Sequence, residues 1–171
     1  IHHNVCLGAV GGKECKVNMD IYKYLSNLKI DYVKMEHKPV STVKEALFIE
    51  ETMNGEGVKN LFLKNANHNY YLYVIKSNKR ADLKALANYL NSGKLYFGNE
   101  VELNKYLGLK PGAVSLLGII NDSGKVKIII DSDLVGKRLL MHPNINTVTL
   151  SIAYNNVLKI IEDCKNDYII F

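Results

Sequence analysis

An α+β domain of about seven strands with helices around them is the fold class that the sequence predicts, and three observations predict it. β-rich runs such as residues 58–64 and 70–76 are bounded by Gly, Asn and Asp, stretches such as 20–29 place apolar residues on one helical face, and two capping boxes, Thr42-x-x-Glu45 and Asn99-x-x-Glu102, mark helix starts between strands. Layers of helix on sheet are how such a mixture buries its apolar faces. A chain of 171 residues is long enough to bury roughly two thirds of its unfolded surface around one core.

In chain order, Ile21, Tyr24, Leu25 and Leu28 give the first helix one apolar face, and residues 32–36 read as a strand. His37 and Pro39 mark a loop before the Thr42 capping box, and Asn54-Gly55 and Gly57 end the second helix. Residues 58–64 and 70–76, separated by Asn65–Asn69, predict a hairpin. Asp82 caps a helix burying Leu83, Leu86, Ala87 and Leu90, and residues 95–97 form a short strand. The Asn99 helix stops at Gly108. Residues 114–120 and 126–130 are expected to pair as a second hairpin through Asn121–Gly124. A strand at 147–150, a helix with Val157, Ile160, Ile161 and Cys164 on its inner stripe, and a closing strand at 168–171 complete the fold.

Residues 1–18 show no clear period before Met19, and are expected to be a tag-derived or disordered leader, with 19–171 as the folded domain. The formal charge is +5, almost all of the basic side being lysine, because Arg80 and Arg138 are the only arginines. That permits an anionic partner but lacks the arginine-dense stripe of a duplex-DNA reader, so no DNA partner is expected. Cys6, Cys15 and Cys164 show no CxxC spacing and suit a reducing cytoplasm. No apolar run approaches the roughly 18 to 20 residues of a membrane span.

Three segments carry chemistry. Lys59 stands in the apolar run Val58-Lys-Asn-Leu-Phe-Leu-Lys64, where desolvating an ammonium is costly unless it meets an anion or acceptors. Gly108-Leu-Lys-Pro111-Gly112-Ala-Val-Ser115 reads as a type II turn, Pro111 presetting one angle and Gly112 tolerating positive φ. His142-Pro143-Asn144-x-Asn146-Thr147 puts polar groups on a loop between apolar segments. Gly112-x-x-Ser115 is no nucleophile elbow, H-E-x-x-H is absent, and Cys164 falls on an apolar stripe, so neither a metal nor a cofactor nor a covalent nucleophile is expected.

In this order and spacing the three segments resemble the YbaK/ProX prolyl-tRNA editing family of aminoacyl-tRNA deacylases, from about Met19 to the C-terminus. The resemblance implies a curved, mostly antiparallel mixed sheet partly wrapped by helices, and hydrolysis of mischarged tRNA(Pro) by orientation and help from the substrate's own 2′-hydroxyl. It implies Lys59 and His142 as the catalytic pair, and Asn60, Lys64, Gly112, Ser115, Pro143, Asn146 and Thr42 as substrate-binding residues. Partners would be the tRNA(Pro) acceptor end and prolyl-tRNA synthetase. The K-N-L-F-L-K run and residues 118–122 are more like the alanine-specific ProX branch than the cysteine-specific one. A cysteine-specific deacylase and a non-catalytic tRNA- or synthetase-binding module of the same fold are the alternatives. Leu116 stands where the family usually has proline.

Overall fold

The computed structural model describes residues 20–171 except Ser123, so the leader read at 1–18 lies outside the described residues. Helix α1 (Ile21–Asn27) begins where Asp20 accepts from the Tyr22 and Lys23 amides, and strand β1 (Val33–Glu36) follows. Both predicted capping boxes form. Thr42 Oγ1 accepts from the Glu45 amide at the start of α2 (Val43–Met53), and Asn99 Oδ1 accepts from the Glu102 amide at the start of α4 (Glu100–Leu107); each glutamate accepts in return from its cap's backbone. These reciprocal bonds satisfy donors that a helix start otherwise leaves open.

Strands β2 (Glu56–Lys64) and β3 (Tyr70–Lys76) form the predicted hairpin, with Lys59 opposite Ile75 and Asn60 opposite Val74. Helix α3 (Leu83–Leu90) and the two-residue β4 (Tyr96–Phe97) precede α4. Beyond it come β5 (Val126–Ile130), β6 (Arg138–Met141), β7 (Val148–Ala153), α5 (Tyr154–Asp163) and β8 (Tyr168–Ile170). The eight strands make one sheet in the order β1-β7-β6-β2-β3-β5-β8, with β4 on β2. The β1·β7, β2·β3, β2·β4 and β6·β7 pairs are antiparallel, while β2·β6, β3·β5 and β5·β8 are parallel.

Two expectations are corrected. Residues 114–120 do not form a strand: Leu116–Asn121 is a 3-10 helix capped by Ser115, and β5 pairs in parallel with β3 and β8 instead. An apolar run with no alternation fits a strand or a buried helical turn equally, and here Leu116, Leu117 and Ile119 are all fully buried. Strand β6, which delivers His142, was not read from the sequence at all.

One face of the sheet carries the main core, built with α1, α4, the 3-10 helix and α5, around Leu72, Val74, Ile128 and Ile130. The other carries α3, with Leu86 and Ala87 on Leu63, Tyr71, Tyr73, Ile75 and Ile129. Helix α2 stands apart, since only Ile49 and Met53 dock, on Leu140, while Phe48 remains 62% exposed. Burying a side chain of this size stabilises by roughly 1.5–3 kcal/mol, so α2 is the most lightly anchored wall of the site it borders.

Candidate active site

The strands β2, β6 and β7 meet beneath α2 around a cavity of about 160 Å³, lined by Ile49 and Glu50 of α2, Val58 and Asn60 of β2, and His142 and Thr149. Chain geometry explains this company. Side chains alternate along β2, so Val58, Asn60 and Phe62 share the face of the main core, whereas Lys59, Leu61 and Leu63 share the face of α3. His142 follows immediately after β6, which pairs with β7 from Arg138↔Ala153 to Met141↔Leu150.

Each histidine has its tautomer set by its partners. A carbonyl can only accept, so His142 Nδ1 donates to Val148 O at 2.8 Å, leaving Nε2 as the acceptor of the neutral ring. His37, whose ring centre lies 6.2 Å away, donates from Nδ1 to Lys38 O and accepts at Nε2 from Thr149 Oγ1, both at 2.7 Å. Asn60 supplies the unusual group. Its Nδ2 reaches Val114 O only at 3.5 Å, and its Oδ1 is buried with no hydrogen-bond partner. A buried acceptor left unpaired costs on the order of 1–3 kcal/mol, which a ligand donor entering the cavity would relieve. Glu50 places a carboxylate in the same wall. Its Oε2 lies 2.7 Å from where a side chain on Gly57 would begin, so the glycine is what lets that carboxylate lie against β2.

The remaining predicted site residues are placed differently. Lys59 is half-buried across the strand from Asn60, and its ammonium has no ion pair or hydrogen bond among the described residues. Ser115 is fully buried and ties down the loop: its hydroxyl donates to His142 O at 2.6 Å and accepts from the Leu117 amide. Leu116 is the first residue of the 3-10 helix, a position where proline's fixed φ and missing N–H are equally acceptable, so the departure from the family pattern leaves the turn intact. The type II turn forms as expected, with Ala113 N donating to Lys110 O and Gly112 at φ +89°, but Gly112 faces open space. Thr42 caps α2, Pro143 is buried on the far side of the His142 loop in a second cavity, and Asn146 is exposed.

Lys64 is committed elsewhere. Its Nζ bonds both oxygens of Glu102 at 2.9 and 3.0 Å, and Tyr70 donates to the same carboxylate at 2.7 Å. The Asn99 amide, then Tyr70 and Lys64, hold the Glu102 carboxyl down to about 2. A depressed carboxyl stabilises the fold above its unfolded value near about 4.3 and loses that contribution as pH falls toward its folded value. Glu102→Gln should therefore cost about 2 kcal/mol at pH 7, and the gap from wild type should shrink in urea melts at acid pH. An equal gap at both pH values would show that charge is not the cause.

With this geometry in place, the comparisons with known proteins become specific. Residues 37–160 match the family model described as the aminoacyl-tRNA editing domain. The chain is 39% identical over 147 residues to the prolyl-tRNA editing protein ProX of Acetoanaerobium sticklandii, covering 84% of this chain and 90% of that one. It is 29% identical over 152 residues to the prolyl-tRNA synthetase associated domain-containing protein 1 of Bos taurus, covering 85% and 89%. A crystal structure whose own description proposes a trans-editing enzyme for prolyl tRNA synthetase superposes with a TM-score of 0.67 at 17% identity, over 87% of this chain and 92% of that one, a likeness of fold. The span of the match takes in the α2 wall, Asn60 and the His142 loop, and the protein belongs to the aminoacyl-tRNA editing domain family, whose members are deacylases.

Proposed function

We propose that the protein is a trans-editing deacylase that removes alanine from mischarged tRNA(Pro), with prolyl-tRNA synthetase as the enzyme whose errors it corrects and the cytoplasm as its setting. The observation that carries this reading is the 160 Å³ cavity with the unpaired Asn60 Oδ1 and the Glu50 carboxylate in its wall. An α-ammonium on a small side chain supplies the donors and positive charge these groups lack. Proline adds a ring of three carbons where alanine has one methyl, and overfilling a packed site costs about 1–3 kcal/mol. Exclusion by size is needed because a synthetase pocket built for proline rejects a smaller residue only by a similar amount.

An aminoacyl ester is already activated, so orientation and oxyanion stabilisation suffice. Water attacks the ester carbonyl, assisted by the terminal ribose 2′-hydroxyl. The tetrahedral intermediate then expels the ribose oxygen, which takes up a proton, giving free alanine and tRNA with its hydroxyl restored. His142 stands at the cavity with Nε2 as an acceptor for a hydroxyl or water proton. Lys59 is assigned to a phosphate of the acceptor end, for which an unpaired ammonium is suited.

Single-turnover assays with Ala-, Cys- and Pro-tRNA(Pro) test the proposal. Ala-tRNA(Pro) should be hydrolysed at least tenfold faster than either of the others. Faster loss of cysteine would move the protein to the cysteine-specific branch, equal loss of alanine and proline would remove size exclusion, and no loss of any would leave a binding module.

A further inference from the structure

The end of the sheet where β2 turns into β3, away from Asn60, carries a separate group of basic side chains. His68, Tyr71, Tyr106, Lys125 and Lys127 line a cavity of about 250 Å³ there, and no carboxylate among the described residues stands in its wall. The topology assembles it: the β2–β3 turn brings His68, and the parallel pairing of β3 with β5 sets Lys127 beside Tyr71. Lys105 adds a third lysine, its Nζ 5.3 Å from the centre of the Tyr106 ring. Lys105 and Lys125 are exposed and Lys127 is half-buried, and none of the three has an ion pair among the described residues. The carboxylates beside them are committed, Glu102 to Lys64 and Tyr70, and Asp122 to the Val126 amide and Asn166.

Two chain segments lead from this cavity back to the candidate site. Lys105 and Tyr106 belong to the last turn of α4, and the turn that follows it ends where the Val114 carbonyl meets Asn60. Strand β2 spans the same gap, from Lys59 to Lys64, which stands opposite Tyr70. Five residues at roughly 3.3 Å each make about 16 Å, the rise of about five stacked nucleotides at about 3.4 Å. Resting on the deacylase reading above, in which Lys59 meets a phosphate near the ester, we propose that this basic end of the sheet holds the phosphates of the acceptor arm several nucleotides back from the aminoacylated end. Lysines interleaved with aromatic rings are what an RNA strand meets where a surface tracks its backbone. Phosphate contacts of this kind position the RNA without reading its sequence, which suits a chain whose basic side is almost all lysine. The partial negative end of α4 opposes an anion here, and Lys105 in its last turn offsets it.

The test uses a hairpin RNA copying the acceptor arm of tRNA(Pro), uncharged for binding by fluorescence anisotropy and alanyl-charged for single-turnover deacylation. The full chain is compared with two triple variants: Lys105→Ala, Lys125→Ala and Lys127→Ala together, and Lys23→Ala, Lys137→Ala and Lys159→Ala together, the latter three being exposed lysines elsewhere whose loss removes the same charge. The first triple variant should bind the uncharged hairpin at least tenfold more weakly at low salt, with the slope of log Kd against log salt smaller by about 2 to 3; the second should stay within threefold of wild type. On the charged hairpin the first should raise KM about tenfold with the saturating rate within threefold. On the alanyl ester of a CCA trinucleotide, too short to reach the lysines, it should match wild type within twofold. Equal weakening by the two triple variants, hairpin binding within twofold of wild type, or an equal loss on the trinucleotide would overturn the proposal. So would unchanged RNA binding with lost binding of prolyl-tRNA synthetase, which would give the surface to a protein. If the wild type binds the hairpin through these lysines yet hydrolyses no charged RNA, the surface stands and the deacylase reading falls.

Discussion

Asn60→Ala is expected to lower kcat/KM for Ala-tRNA(Pro) by about 10- to 150-fold with no loss of thermal stability. The range follows from losing one hydrogen bond to a charged group, about 1.5–3 kcal/mol, at about 1.4 kcal/mol per tenfold. Stability should hold because the side chain contributes little to the fold. Its Oδ1 has no partner, and its Nδ2 contact with Val114 O is at the 3.5 Å limit. A substrate whose amino group has been acetylated identifies the cause. N-acetyl-Ala-tRNA(Pro) lacks the ammonium, so wild type and variant should hydrolyse it at similar, low rates. Glu50→Gln should follow the same pattern, because its carboxylate lines the same wall. Lys59→Ala, on the opposite face of the strand, should instead raise KM and flatten its dependence on salt, as loss of a phosphate contact does. An Asn60→Ala enzyme within twofold of wild type, or full activity on the acetylated substrate, would remove the ammonium from that pocket.

The contrast between Asn60 and Lys59 shows where sequence reading reaches and where it stops. Helix starts were legible because capping is local: Thr42 with Glu45 and Asn99 with Glu102 lie three residues apart and form as read. The β2–β3 hairpin was legible from two β-rich runs and a polar turn. The alternation that separates Lys59 from Asn60 was also visible, but which face holds the cavity depends on β6 and α2, far away in sequence. Lys64 stood out through the K-N-L-F-L-K run, while its pairing with Glu102, 38 residues on, was not legible. Ser115 was picked out by its motif, yet its role as the pin of the His142 loop exists only once residues 27 apart meet. Glu50 and Thr149 carried no signal at all, since a carboxylate on an exposed-looking helix and a threonine in a strand are ordinary until the sheet brings them together.

Asp131 is the extreme case, and its replacement should have the largest effect on stability. It is fully buried at the end of β5, where it accepts from the Lys76 amide at 2.9 Å, the Asp133 amide at 3.0 Å and Lys79 Nζ at 2.7 Å. It thereby ties the end of β3 to the end of β5, while its own amide donates to Val74 O. Burial opposes ionisation of this carboxyl, but Lys79 and the two amides outweigh it and hold the group below its usual range; Lys79 is correspondingly raised, first by Asp131 and then by Asp133. Removing one partner of a buried pair costs about 3–5 kcal/mol. Lys79 is 38% exposed and returns to water, so the lower end, about 3 kcal/mol, applies to Asp131→Ala, and most of it comes from stranding two backbone donors. For a chain of this size that is a fall of about 6–12 °C in Tm. Asp131→Asn keeps one acceptor but turns an N–H₂ toward donors, and should recover less than half of the loss. Because the folded carboxyl is depressed, the wild-type advantage is complete above the unfolded value near about 3.9 and is lost as pH falls through the folded one. Urea melts at pH 7 and pH 3 should accordingly show the difference between wild type and Asp131→Ala narrowing in acid. A loss below 1 kcal/mol at pH 7 would mean that the two strand ends are held by the ladder alone.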